Sequence, residues 1–135
     1  MPLIPAGQLR PHERIERMRL RKVRADIEAR GVLDYPLLVY EETRVILDGH
    51  HRFRALQLMG CPLIPVQFIR YEGKAVQVSS QRPGVRVSKA RVRERGLTGR
   101  LFPPKTTKHA YKKRRKPFKL NESSVLALEG GPTIY

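Results

Sequence analysis

Sulfur is nearly absent from this chain. Cys61 is its only cysteine, so no internal disulfide can form and no thiolate cage for a metal can be assembled. That usage matches a reducing compartment. Long apolar runs are missing as well, and no stretch approaches the ~20 residues of a membrane-spanning helix. The opening MPLIPAGQLRPHE is too short and too broken by proline for a signal peptide. The expectation is a soluble, cytoplasmic protein with no membrane partner. Acidic residues are scarce: 12 Asp and Glu face 28 Lys and Arg, a formal net charge of +16. Such an imbalance points to polyanionic partners or substrates: nucleic acid, phosphates or an anionic membrane surface.

What is present fits one modest domain. The chain has 135 residues, 40% of them hydrophobic, enough for a single core. The positive charge is concentrated in residues 82–119, where 15 Lys and Arg accompany one acid, Glu94. Helical spacing runs from His12 to Arg30, with Ile15, Met18, Leu20, Val23 and Ile27 on one stripe and Gly31 as a stop. YPLLVY (35–40) and VIL (45–47) read as a hairpin. A second helix is expected over His51–Met59, closed by Gly60, then a strand over 63–69 and another over 75–79. A short basic helix is expected over 88–96, ended by Gly96, and a proline-rich loop over 100–109. Phe53, Leu56, Met59, Val66, Phe68, Leu38 and Ile46 are the expected core.

The chemistry concentrates in three short segments. In ILDGHHRF an apolar strand ends at Asp48, turns at Gly49 and enters a helix through His50, His51 and Arg52. A helix N-terminus offers backbone N–H groups and a partial positive charge to a phosphate. Glycine lets the backbone approach closely, and Arg52 can fork onto phosphate oxygens. Asp48 can serve as a Mg²⁺ ligand or an orienting carboxylate; it can equally cap the helix. In RPHE, His12 and Glu13 precede the first helix. Glu13 can accept a hydroxyl proton or simply favour the helix dipole. In PPKTTKH, Lys105, Thr106, Thr107, Lys108 and His109 can wrap an anion or form a solvated basic loop. The phosphate-binding pattern GxxxxGK[ST] is absent.

The ordered set of PHE, DGHHR and PKTTKH resembles the archaeal free L-serine kinases, within the ParB/sulfiredoxin-like fold. The resemblance covers roughly residues 8–109. It implies a small α+β domain, with a mixed sheet of about four strands and helices packed on it. It further implies a nucleotide-dependent phosphotransferase using ADP or ATP, with Mg²⁺, to convert L-serine to O-phosphoserine. By the same resemblance Glu13 is the base and Asp48 a second essential carboxylate and possible metal ligand. Gly49, His50, His51, Arg52, Lys105, Thr106, Thr107 and His109 contact the nucleotide phosphates. Lys108 stands where the family has arginine, which removes bidentate geometry. Domain organisation follows as a core over 1–109 and a basic run with tail over 110–135. The alternative is a ParB-like nucleic-acid-binding or regulatory protein. It would grip phosphates through the 82–119 segment, above all Lys112, Lys113, Arg114, Arg115 and Lys116.

Overall fold

The computed structural model describes residues 2–71 and 74–113, together with the backbone of Phe118 and Lys119. Four strands form the central mixed sheet: β1 (Leu3–Pro5), β3 (Leu37–Tyr40), β4 (Ile46–Asp48) and β5 (Leu63–Ile69), in the order β1-β5-β3-β4. β3 and β4 pair antiparallel as the expected hairpin. β3 and β5 run parallel, which requires a crossover, and α2 (His50–Leu58) supplies it. α1 (Arg17–Arg30) packs beside α2. β2 (Val32–Leu33) pairs with β8 (Phe118–Lys119), and β6 (Val76–Ser80) pairs with β7 (Thr107–Tyr111). α3 (Lys89–Thr98) lies between those last two strands in the chain.

The continuous apolar run LLVY has a structural cause: β3 is buried on both faces, as central strands covered on both sides must be. Leu37 and Val39 join one apolar cluster with Ile27, Phe53, Leu56 and Val66. Leu38 and Tyr40 join another with Leu47, Tyr71, Val76, Val92 and Phe102. The sheet is therefore a middle layer. The helices α1 and α2 cover one side, and β6, α3 and Phe102 cover the other. Of the expected core, Phe53, Leu56, Val66, Leu38 and Ile46 are buried. Met59 and Phe68 are partly buried at its edge, and Phe68 carries the Arg44 guanidinium 4.4 Å from its ring centre.

Three local expectations are corrected. The first helix starts at Arg17, not His12, because the Glu16 side chain caps it by accepting from the Arg19 N–H. Residues ahead of it run extended, paired to Val45 at Arg10 and to Phe102 at Glu13. The third helix does not stop at Gly96; it continues to Thr98 and ends at Gly99, which takes the left-handed conformation (φ 77°). The 100–109 segment is not loop throughout, since Thr107 begins β7. Gly96 has a different reason to be glycine: a Cβ there would lie 2.7 Å from both Val45 methyl carbons, and Val45 is fully buried. Alanine normally stabilises a helix interior over glycine. Here Gly96→Ala is expected to destabilise the fold by about 1–3 kcal/mol through overpacking, seen as a lower urea midpoint; a raised midpoint would contradict the close contact.

Candidate active site

The three motifs converge on one cavity of about 530 Å³, within the range of small-molecule sites. Glu13, Asp48, Gly49, His50, His51, Arg52, Lys105 and Thr107 all line it. The convergence is built from the backbone. The extended arm 10–14 hydrogen-bonds to the edge of the sheet on one side, where Ile46 N–H donates to Arg10 O at 2.8 Å. On the other side Phe102 N–H donates to His12 O and Arg14 N–H donates to Phe102 O. The chain then turns at Lys105, whose φ is 57°, and brings Thr106 and Thr107 back toward the arm. Glu13 closes the junction: its Oε1 accepts from Thr106 N–H at 2.6 Å and its Oε2 accepts from the Thr107 hydroxyl at 2.9 Å. Gln81 pins the far side by donating to both threonine carbonyls, through its N–H to Thr106 and through Nε2 to Thr107.

At the other wall, β4 delivers Asp48 and the chain turns into α2 at Gly49 (φ 109°). A Cβ at Gly49 would sit 2.9 Å from Leu37 Cγ, so both conformation and space demand glycine. No side chain caps α2, and Gly49, His50 and His51 at its start line the cavity. Arg52 is held by an ion pair to Asp48 (3.3 Å) and donates to the Tyr35 carbonyl. It thus braces the turn against the segment before β3.

The adjacent histidines have a specific use. His50 Nε2 accepts from the His12 N–H at 3.1 Å, and His51 Nε2 accepts from the Glu16 N–H at 2.9 Å. The pair therefore grips the arm that carries Glu13. Each neutral ring keeps its proton on Nδ1, so neither imidazole meets an anion as a cation. Burial holds His50 well below the ordinary histidine value, and the neighbouring His12 and His109 add to the effect. His51 is lowered by burial and by Arg19 and Lys105.

Two expected phosphate ligands are placed elsewhere. The Thr106 side chain is fully buried and donates to the Pro103 carbonyl, leaving only its N–H for Glu13. His109 lies behind the cavity wall, 2.8 Å from the Tyr71 hydroxyl, and burial pushes it down to about 3. Lys112 and Lys113 are exposed; Arg114, Arg115 and Lys116 lie outside the described residues. Among the described residues, no three His, Cys, Asp or Glu side chains come together as a metal cage.

The sequence reading missed one wall. Arg19, Lys22, Val23, Asp26 and Ile27 also line the cavity, with Val32, Leu33, Asp34, Tyr35 and Gln81. The five α1 positions follow the spacing of a single helix face. That stripe mixes cations, an acid and apolar groups, which suits a cavity wall better than a core.

No family model matches the chain. It is 35% identical over 72 residues to the ATP-dependent L-serine kinase SbnI of Staphylococcus aureus. It is 31% identical over 87 residues to the ATP-dependent L-serine kinase of Staphylothermus marinus, and 37% identical over 71 residues to a ParB-like protein of Sulfolobus acidocaldarius. These matches take in 51%, 62% and 53% of this chain. They span only 28%, 34% and 35% of the relatives, about a third of their length. Among solved structures, a free serine kinase in complex with ADP superposes with a TM-score of 0.77 at 16% identity, covering 90% of this chain and 92% of that one. SbnI with a C-terminal truncation gives 0.68 at 17% identity, covering 96% and 92%. The fold is shared with a free serine kinase. No helix among the described residues is long and apolar enough to cross a membrane.

The buried imidazoles make stability pH-dependent. Burial lowers His12 to about 4 and His109 to about 3, and lowers His50 in the same direction. A folded-state value below the unfolded ~6.5 means that the unfolded chain binds more protons, so stability falls as pH drops below ~6.5. Glu13 is raised, chiefly by burial, and its protonation in the fold offsets part of this loss. Urea unfolding at pH 7 and pH 5 is expected to show a loss of at least about 2 kcal/mol at the lower pH; equal stability would contradict neutral burial of the three rings.

Proposed function

We propose that this protein phosphorylates the hydroxyl of free L-serine, with ATP or ADP as phosphoryl donor and Glu13 as general base. One observation carries the reading: a carboxylate raised by burial faces the same cavity as an uncapped helix N-terminus and a lysine-bearing turn. A base needs a pKa drawn toward neutrality, and a transferring phosphoryl needs fixed positive potential. Both are supplied within one cavity. The similarity to L-serine kinases supports serine as the acceptor.

In this reading the nucleotide phosphates lie against the α2 N-terminus, with Lys105 and Arg19 offsetting their charge. The nucleoside occupies the end walled by Val23, Ile27, Val32 and Leu33. Serine sits between Glu13 and Asp48, and Asp48 orients it. His50 and Thr107 bound the reacting centre, and Gly49, His51 and Arg52 shape its phosphate side. Asp48 is the side chain that would hold a Mg²⁺ ion arriving with the nucleotide, and the ion would offset phosphate charge. The hydroxyl attacks the terminal phosphoryl in line while Glu13 takes its proton.

The nucleic-acid reading draws on the basic 82–119 segment, but several of those cations serve the fold itself. Arg82 donates to the Pro104 carbonyl, Arg95 stacks on Phe102, and Lys89 lies 5.5 Å from the Tyr71 ring centre. Purified protein with Mg²⁺, ATP or ADP, and L-serine is expected to form phosphoserine, and Glu13→Gln to lower kcat by about 10²–10⁴-fold. Silence of the unmodified protein, with salt-sensitive DNA binding in its place, would overturn the kinase reading.

A further inference from the structure

Two acceptors contend for one hydroxyl beside Glu13. The His12 ring is fully buried. Its Nδ1 lies 2.6 Å from the Ile46 carbonyl oxygen, which can only accept, so Nδ1 carries a proton. Burial drives His12 down to about 4, so near neutral pH the ring holds no second proton and Nε2 is a lone pair. That lone pair lies 2.9 Å from Thr107 Oγ1. On its other side Thr107 Oγ1 lies 2.9 Å from Glu13 Oε2. One hydroxyl proton therefore stands between two acceptors. While Glu13 is ionised, that hydroxyl can serve His12 Nε2 or Glu13 Oε2 but not both, the carboxylate keeping the Thr106 and Thr107 N–H groups in either case. Add one proton and every contact is satisfied: Glu13 O–H donates to Thr107, and Thr107 donates to His12.

We propose that Glu13, Thr107 and His12 form a one-proton relay in which His12, as a positioning residue, draws the Thr107 hydroxyl away from the carboxylate and so strengthens Glu13 as a base. This rests on the kinase reading above for its catalytic consequence, though not for its proton count. In the reaction the serine O–H bond breaks and a Glu13 O–H bond forms, while the Thr107 hydroxyl turns from Oε2 to His12 Nε2 with no covalent change. The serine oxygen forms the new P–O bond. The bond from the terminal phosphorus to the bridging oxygen breaks, its electron pair staying on the nucleotide. Glu13 returns its proton to solvent after phosphoserine leaves. The competition for the Thr107 hydroxyl is thus relieved as the base accepts charge, an interaction realised in the transition state rather than the ground state. Other titratable groups face the relay. His50 and His109 lie edge-on to the His12 ring. Asp48, His51, Lys105 and Arg19 line the same cavity, with Asp48 raising Glu13 by its charge.

The test reads Glu13 directly, by NMR titration of its ¹³C-labelled carboxyl group. His12→Asn keeps a donor for the Ile46 carbonyl and removes the acceptor at Nε2. The relay predicts that Glu13 then titrates about one pH unit lower, and that the acid limb of kcat/KM moves with it. In a Thr107→Val background the same His12→Asn change is expected to leave Glu13 where it was, because the hydroxyl that transmits it is gone. Thr107→Ser restores the coupling. An unmoved carboxyl titration in His12→Asn, or a shift that persists without the hydroxyl, would overturn the relay. Should His12→Asn not fold, ¹⁵N-histidine spectra of the unmodified protein decide. The His12 Nε2 resonance is expected to change as Glu13 titrates, and a constant resonance would overturn the proposal. Failure of phosphoserine formation would remove the kinase reading alone, since neither NMR measurement depends on turnover.

Discussion

The molecule depends on one carboxylate that ties residue 13 to residues more than ninety positions away. Glu13 accepts from the Thr106 N–H and the Thr107 hydroxyl, and so fixes the late turn against the early arm. A buried carboxylate without donors is costly. Here the two threonines, through backbone and hydroxyl, provide what water would. The same bonds leave the group raised rather than lowered, because burial outweighs them. Structure and chemistry therefore draw on a single contact: what joins the segments also sets the proton affinity of the proposed base.

The sheet explains why the arm lies where it does. β3 is buried on both faces, so Val45, just ahead of β4, and Leu47 within it can join one cluster and Ile46 the other. β4 then ends at Asp48 beside the opening of α2. The arm completes this edge through Arg10 and Val45, and the close passage of α3 at Gly96 holds Val45 from behind. Each imidazole of the 50–51 pair takes one backbone N–H of the arm. The turn, the arm and the late strand consequently share one rigid frame, which is what a site acting by positioning requires.

Much of this was legible in the sequence because its signals are local. Short apolar runs bounded by turn residues reveal β3, β4 and β5, and the Asp-Gly junction marks the entry to α2. The α+β class with a mixed sheet of about four strands came from the family resemblance; the fourth strand, β1, carries no strand signal of its own. Two kinds of feature escaped. Residues 12–16 look helical by spacing, yet hydrogen bonds to Phe102 and the two imidazoles pull them into an extended arm. β7 hides in PKTTKH because its pairing partner, β6, lies far off in the chain and its own residues are polar. The same distance hides the division of labour among candidate residues. Sequence places Thr106, Thr107 and His109 on equal terms, whereas of these three buried residues Thr107 alone lines the cavity. The α1 wall was missed for a related reason: Val23 and Ile27 belong to the apolar stripe, and only the opposite wall shows that Arg19, Lys22 and Asp26 share a cavity with them.

The account stands on the convergence of the 48–52 turn and the 105–107 turn around one anionic ligand. Amide NMR spectra of the protein titrated with ADP at physiological salt test this most directly. The expected result is that Gly49, His50 and His51 shift together with Lys105, Thr106 and Thr107, at the same ADP concentration. Shifts confined to α3 and to Lys112 and Lys113, with both turns unmoved, would contradict it.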